Sequence, residues 1–556
     1  MVMQGTQPGS PTIGSRIGEE QHVLWARHSC LFCLVVIGAT ALVPLVPFLF
    51  LGIPSGHDFE FNLNGWMELA SSFKEGIHYP HWAALAHYGY GEPRFIFYPP
   101  VSWMLGTFLG SVLPWNIVPA TYIWIALTAS GCSMFFLARR YLSDRDAVFA
   151  ACVYAVNPYN LLIVYWRSAY AELLAAALFP LLLLLLLQNK EEGRKIILPL
   201  ALVIAAAWLV ELPAAVILTY SLALLAAVNS LIQRSPRLLV YGAMAAVLGF
   251  ALSAFYILPA AYEQRWVSIA QVLSPGVRPP ENFLFSIIND PMHNRFNRLV
   301  STVACFEWAA VALFFWTAGK WRRREMNLWW TAIVWGFVAA LMMLPLTSAL
   351  WQWLPKLRFV QFPWRWLLPL NAGGALVCAM SARRWTSRAI VWLGVGAIIA
   401  FCCCAIQQPW WESADEIQDM EDAIHKNLGY EGTYEYVPTA ADVEMIPRDA
   451  PMVGFEGKGK ARIDIGQWSS EYRSFVADVS SEGNLVLHLF NYPAWSVVNN
   501  GIAVHSETLD PTGQMVIPVR PGRNYVQIAF AGTWDRTAGL AISAAALLTC
   551  IALAIL

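Results

Sequence analysis

Charge is what this 556-residue chain has least of: Asp, Glu, Lys and Arg make up 13% of it, against 57% hydrophobic residues. Soluble globular domains carry about 25% charged residues. The deficit, with a positive mean hydropathy, excludes an ordinary soluble globule and points to an integral membrane protein. A net charge of −1 offers no generally basic surface, so nucleic acid is not expected as a partner. The chain also lacks a Gly-Lys-Ser/Thr phosphate loop, a dinucleotide fingerprint and a Gly-x-Ser-x-Gly elbow, which leaves ATP hydrolysis and serine-hydrolase chemistry without support. Cysteine is missing from the polar stretch 407–537, since all ten cysteines lie within or beside apolar runs. No disulfide framework is therefore expected, and the Cys402-Cys403-Cys404 run reads as small lipid-phase packing. No solenoid-type repeat is visible.

Apolar runs are plentiful. Spans need about 20 apolar residues. Roughly twelve candidates follow, near 30–53, 117–138, 146–164, 173–188, 195–210, 213–232, 238–258, 299–318, 328–350, 366–382, 389–406 and 538–556. The first reads as an uncleaved anchor, because residues 1–29 are too polar for a signal peptide and their Gly/Pro/Ser/Gln content predicts disorder. The run 101–113 is short and is read as interfacial or re-entrant. With it not crossing and the N-terminus cytoplasmic, the loops 139–145, 190–195, 234–237, 320–324 and 383–388 all lie inside. Every one is basic, as the positive-inside bias requires. The loop 54–100 and the region 407–537 then lie outside, and both termini are cytoplasmic. Trp clusters at the ends of apolar runs, where interfacial belts form. In 407–537 an acidic start gives way to strand patterns at 461–465, 472–479, 484–490, 496–498, 515–519 and 525–530, with turns at Asn499-Asn500-Gly501 and Arg520-Pro521-Gly522. The predicted fold is mainly α: a polytopic helical bundle over 30–406, an external β-sandwich over 407–537, and a final span over 538–556.

The external segments hold the chemistry-bearing residues. The loop 54–100 contains His57, Asp58, Glu60, Glu92 and Arg94. Phe59, Leu63, Trp66, Met67, Ala70 and Phe73 fall at helical spacing, predicting an amphipathic helix on the membrane surface. Asp58 is then either its N-cap or a carboxylate at the water–lipid boundary, able to act as general base or hold a metal. Arg167, Arg358 and Arg365 sit at external span ends, against the charge bias. They read either as headgroup anchors or as phosphate-binding forks. Glu172 lies about one turn from Arg167 and is a candidate partner; Gln361 shares the stretch of Arg358 and Arg365. The loop histidines His57, His78, His81 and His87 lack the paired spacing and third ligand of a zinc site.

The segment Gly56-His57-Asp58-Phe59-Glu60…Asn64-Gly65-Trp66…Tyr79-Pro80…Trp82…Tyr88-Gly89-Tyr90-Gly91-Glu92-Pro93-Arg94…Tyr98-Pro99-Pro100 resembles bacterial membrane proteins labelled 6-pyruvoyl-tetrahydropterin-synthase-related. These are similar to polytopic GT-C-type, YfhO-like glycosyltransferases. Trp166-Arg167-Ser168…Glu172, Leu357-Arg358-Phe359…Pro363-Trp364-Arg365 and Asn491-Tyr492-Pro493…Trp495 fit the same pattern. The pterin label finds no histidine zinc cluster here. The resemblance implies a polyprenyl-phosphate-linked sugar as donor, a cell-envelope acceptor, membrane lipids around the spans, and an acidic residue of the first external loop at the centre of catalysis. Carried to this chain, that residue is Asp58, with Glu60 second. His57, Glu92, Arg94, Arg167, Glu172, Arg358, Gln361 and Arg365 become candidate substrate contacts. The Asp-x-Glu spacing leaves a divalent cation open. A lipid-linked-sugar flippase and a non-enzymatic glycan-binding assembly protein are the alternatives, and sugar, acceptor and oligomeric state are not legible.

Overall fold

A computed structural model describes residues 30–555; the N-terminal stretch expected to be disordered lies outside the described residues. Every one of the twelve expected apolar runs contains a helix. Eight helices are long and apolar enough to cross a membrane, or up to ten if each bent pair is one span. The two other runs form Ile197–Val210 and Leu367–Ser381. At ~1.5 Å per residue both fall short of a hydrocarbon layer of about 30 Å. Leu367–Ser381 is apolar all round and buried along nearly its whole length. Gly374 lets it press on its neighbour, since a Cβ there would lie 2.7 Å from Val311. It is an inner helix, which hydropathy alone does not separate from a lipid-facing one.

Six elements set up the site: α1 (Cys30–Leu51), α2 (Phe59–Lys74), α3 (Pro100–Val112), α4 (Val118–Ala138), α5 (Asp144–Arg167) and α6 (Tyr170–Leu187). The helix expected to float on the membrane, α2, is instead clamped within the protein. Its Phe59, Leu63, Trp66 and Met67 are buried. Gly106 of α3 lies against the Trp66 indole, where a Cβ would come within 2.2 Å. A later acidic helix, Ala414–His425, packs on α2 as well. The 13-residue α3 is too short to cross and serves as cover for α2.

Nine strands between 453 and 530 build two antiparallel sheets. One has the order Val453–Gly457, Gly483–Phe490, Gln514–Val519, Glu507–Leu509; the other runs Ala461–Trp468, Tyr472–Val479, Gly522–Phe530, Trp495–Asn499, Ile502–Val504. All six expected strands are present. The three others are short or glycine-bearing, too brief for an alternation to show. Both sheets feed one apolar cluster that includes Phe475, Leu485, Leu487, Ile517 and Ile528. The Asn499-Asn500-Gly501 turn closes a two-residue hairpin with Asn500 and Gly501 both at positive φ, the geometry of a type I′ turn.

The interhelical segments sort into two groups by contact. Arg139 meets Cys30 and Asp144, Arg388 pairs with Asp146, and Arg383 lies over Trp321. At the other end the 53–100 loop, the α5–α6 junction, residues 357–366 and the 407–437 segment converge. Ile53–Pro54 pairs with Trp411–Glu412, Asp58 N–H donates to the Arg167 carbonyl (2.9 Å), and Arg365 meets Glu172. The basic segments 139–145, 320–324 and 383–388 thus share one end and the candidate site residues the opposite one.

Candidate functional site

The α5–α6 junction breaks the regular helix. Helix α5 ends in one π-turn, Ile163–Arg167, and Ser168 follows in the left-handed region (φ +51). Such turns re-aim side chains. The Gly56-His57-Asp58 start of the loop seats against this junction. Gly56 N–H donates to Ser168 Oγ (2.9 Å) and the Ser168 hydroxyl donates to the Pro54 carbonyl (3.0 Å). A Cβ on residue 56 would lie 2.5 Å from the Arg167 carbonyl carbon, so only glycine fits. The Asn62 amide, one turn into α2, donates to the carbonyls of Asp58 (2.6 Å) and Ser168 (3.2 Å).

This seating puts Asp58 beside Arg167. Asp58 occupies the N-cap position of α2, but at φ −103 and ψ 11 its side chain makes no capping bond; caps need a β-region backbone. Its Oδ2 lies 3.5 Å from Arg167 Nη2, with the carboxylate side chain 41% exposed and the guanidinium 4%. Behind it a chain of buried charges continues. Glu172 Oε2 is 2.5 Å from Arg167 Nη1 and 3.0 Å from Arg365 Nε, and the Tyr159 hydroxyl donates to Glu172. Arg365 Nη1 donates to the Val360 carbonyl (2.8 Å), and its Nη2 lies 3.8 Å from Glu211. Phe362 and Trp364 are stacked with centroids 4.7 Å apart; Phe362 flanks both guanidinium groups and Trp364 that of Arg167, a face that arginine favours. His57, exposed, packs edge-on to Phe296 (5.0 Å).

The other candidates lie apart. Glu60 is exposed on the first turn of α2. Glu92 and Arg94 form a second buried group: Arg94 Nε lies 2.5 Å from Glu92, His87 Nε2 2.9 Å, and Thr433 N–H donates to it (2.9 Å). Burial raises the Glu92 carboxyl, but Arg94, His87 and the Thr433 N–H outweigh it and hold the group at about 2. Nearby Glu68 accepts from Leu85 N–H (2.8 Å) and the Tyr430 hydroxyl (2.6 Å), and burial pushes it up to about 7. These acids fasten the loop to residues 430–433. Arg358 is exposed and lies over the Phe359 ring. The Gln361 amide donates to the Val272 carbonyl (2.9 Å) at a left-handed turn (φ +64). Sequence reasoning assigned no site role to Tyr159 or Glu211. The Glu211-Leu212-Pro213 cap signal marks a helix start there, and Glu211 does cap Ala214, but spacing does not tell that the same carboxylate faces an arginine 154 positions away.

Among the described residues no group of three or more His, Cys, Asp or Glu is placed to hold a metal ion. The site acids face arginines, which oppose a cation at the same spot. What the arrangement can do is hold a half-exposed carboxylate in a fixed direction at the mouth of a buried, aromatic-walled charge network.

Comparison with curated proteins by sequence gives no match. Among solved structures, ArnT from Cupriavidus metallidurans bound to undecaprenyl phosphate is similar over 73% of this chain and 76% of that one, at 13% identity and a TM-score of 0.38. The Archaeoglobus fulgidus oligosaccharyltransferase in the apo form is similar at 15% identity (TM-score 0.39) over 73% of this chain. Its AglB complex with an inhibitory peptide and a dolichol-phosphate is similar at 14% (TM-score 0.39) over 74%. This chain spans 56% and 57% of those two archaeal chains. The sequence model of one family matches residues 95–408, more than half of the length. The chain belongs to that family, membrane proteins described by a 6-pyruvoyl-tetrahydropterin synthase related domain.

Proposed function

We propose that the protein is a glycosyltransferase that moves a sugar from a polyprenyl-phosphate carrier to an acceptor hydroxyl of the cell envelope, outside the cytoplasmic membrane. The observation that carries this reading is the half-exposed Asp58 carboxylate facing the buried Arg167 guanidinium at 3.5 Å. Arg167 fixes the direction of that carboxylate. Asp58 takes the proton of the acceptor hydroxyl. The acceptor oxygen bonds to the anomeric carbon while the bond from that carbon to the phosphate oxygen breaks, and the electron pair leaves with the lipid phosphate. A phosphate leaving group needs little protonation, so one carboxylate suffices and no step requires a nucleotide.

The donor phosphate needs a cation not already spent. Arg167 and Arg365 are two guanidiniums among the three acids Asp58, Glu172 and Glu211. Arg358, exposed on the proline-flanked aromatic stretch that also carries Arg365, is the cation we assign to the phosphate, with Arg365 holding Glu172 and the loop behind it. The site end faces outward and the basic end inward, following the positive-inside bias. The deciding experiment incubates the purified protein with synthetic polyprenyl-phosphate sugars and follows release of the free carrier phosphate. Release that depends on Asp58 is the expected result; its absence with every donor and acceptor tried counts against the enzyme.

One observation favours a second reading, a transporter of lipid-linked sugars. Glu307 is buried midway along the spanning helix Pro291–Thr317, and intramembrane acids often mark transport routes. Its oxygens accept from Tyr159 N–H (3.0 Å) and the Asn371 amide (2.9 Å), which also suits a structural role.

A further inference from the structure

Two segments at the site end carry large apolar side chains left uncovered among the described residues. Residues 283–292 precede the spanning helix Pro291–Thr317. The helix Met326–Met342 turns by 90° into Pro345–Trp353. The segments hold each other: Leu284 N–H donates to the Met343 carbonyl (3.1 Å), and Phe283 meets Trp351 edge-on. From this joined base Phe285, Ile287 (80% exposed), Met292, Leu346 and Trp353 (79% exposed) project outward. Phe285 sits at φ +62, a conformation costly for a bulky residue, and it persists only where the surroundings enforce it. Here they do, since its N–H donates to Ser301 Oγ (2.9 Å). The fold spends strain to keep an aromatic ring pointing outward.

The rim of this apolar face is cationic. Arg278, Arg295, Arg298 and Lys356 are exposed and make no ion pair among the described residues. The acids nearby, Glu281 and Asp290, are engaged with backbone N–H groups. The face also continues onto the outward side of Pro291–Thr317, of which only 22% of the apolar window is buried. Patches of this kind mark interaction sites, and continuity with a lipid-facing helix identifies the occupant.

We infer that residues 283–292 and 345–356 form a foot immersed in the membrane–water interface at the site end, docking on anionic phospholipid headgroups through Arg278, Arg295, Arg298 and Lys356. Basic residues beside apolar anchors bind such surfaces, each worth about fivefold in partitioning. The foot would hold the site mouth at headgroup level. It is independent of the transferase reading, and its test needs no turnover.

In the full chain, a genetically encoded dansyl residue is placed at position 287 or 346, with position 500 in the β-hairpin turn as an aqueous control. Each protein is reconstituted into phosphatidylcholine vesicles with or without phosphatidylglycerol. Positions 287 and 346 should be quenched by doxyl-labelled lipid and shielded from iodide, unlike position 500. Unlabelled wild type should retain phosphatidylglycerol over phosphatidylcholine through detergent extraction. That excess should fall several-fold in the combined Arg278→Gln, Arg295→Gln, Arg298→Gln, Lys356→Gln variant. Iodide quenching at 287 and 346 equal to that at 500 would overturn the foot and leave the face to a soluble partner. Equal retention of the two lipids by wild type would overturn the anionic docking.

Discussion

Asn can replace Asp58 without disturbing α2, because the Asp58 side chain makes no bond to the helix N-terminus. The exchange keeps shape and removes proton acceptance, so transfer should fall by at least ~10²-fold while the melting temperature stays close to wild type. Wild-type turnover in a folded Asp58→Asn protein would pass the role to Glu60, which is exposed two residues further along the chain. Arg167 differs in kind. Removing it leaves Glu172 buried with Arg365 alone, and breaking such a pair costs about 3–5 kcal/mol. Arg167→Gln should therefore lower both melting temperature and activity, and Lys should rescue poorly because it lacks the fork that spans Asp58 and Glu172. Arg358 makes no ion pair among the described residues, so Arg358→Gln should leave stability untouched and weaken donor binding by roughly tenfold or more, the loss of one charge-assisted contact. Unchanged donor affinity, measured by titrating the lipid-phosphate sugar, would reduce Arg358 to a headgroup contact.

At the scale of elements, the loop 54–100 is locked to residues 430–433 by two acids that titrate in opposite senses. Glu92 is held at about 2, below its ordinary value, so its contribution is complete above pH ~4.5 and is lost as pH falls toward 2. Glu68 is raised to about 7. Its contribution is complete below pH ~4.5 and drains away as pH rises through 7. The latch should hold best near pH 5, and the melting temperature should decline between about pH 5 and about pH 8. Glu68→Gln should flatten that decline, since the amide keeps an oxygen for Leu85 N–H and cannot ionise; parallel profiles for the two proteins would assign the titration elsewhere. These contacts also explain what sequence could and could not reveal. The apolar runs and the alternating strands were legible because burial follows periodicity over several residues. That α2 is clamped by α3 and by Ala414–His425 was not, because an amphipathic stripe looks alike whether lipid or protein covers it. Gly429 and Gly432 appear unremarkable in sequence, yet a Cβ at either would meet Tyr88 Cα at 2.5 Å or His87 Nε2 at 2.2 Å. Only partners 341 and 345 positions away give those glycines a reason.

On the scale of the whole molecule, the candidate residues come from five separated stretches: Asp58, Tyr159 with Arg167 and Glu172, Glu211, Glu307, and Arg365 with Asn371. The sequence resemblance brought Asp58, Arg167, Glu172 and Arg365 into view, but the topology alone makes them neighbours. Glu307 lies one residue pair from that network: it accepts from the backbone of Tyr159, whose hydroxyl donates to Glu172. The transporter and transferase readings therefore part at this residue. A transport acid must exchange partners or protons as the protein alternates between states. A structural acid need only accept two hydrogen bonds, and Glu307→Gln keeps an oxygen for Tyr159 N–H while setting an amide against Asn371. For a transferase, Glu307→Gln should retain carrier-phosphate release within a few-fold and lose stability modestly, by about 1–2 kcal/mol for one mismatched buried contact. For a transporter, flipping of a fluorescent lipid-linked sugar in proteoliposomes should collapse in the same variant, with Asp58→Asn having little effect. The two variants measured in the two assays give opposite patterns. Carrier release lost in Asp58→Asn and kept in Glu307→Gln is the outcome expected here, and the reverse pattern would make the protein a mover of lipid-linked sugars that leaves them chemically unchanged.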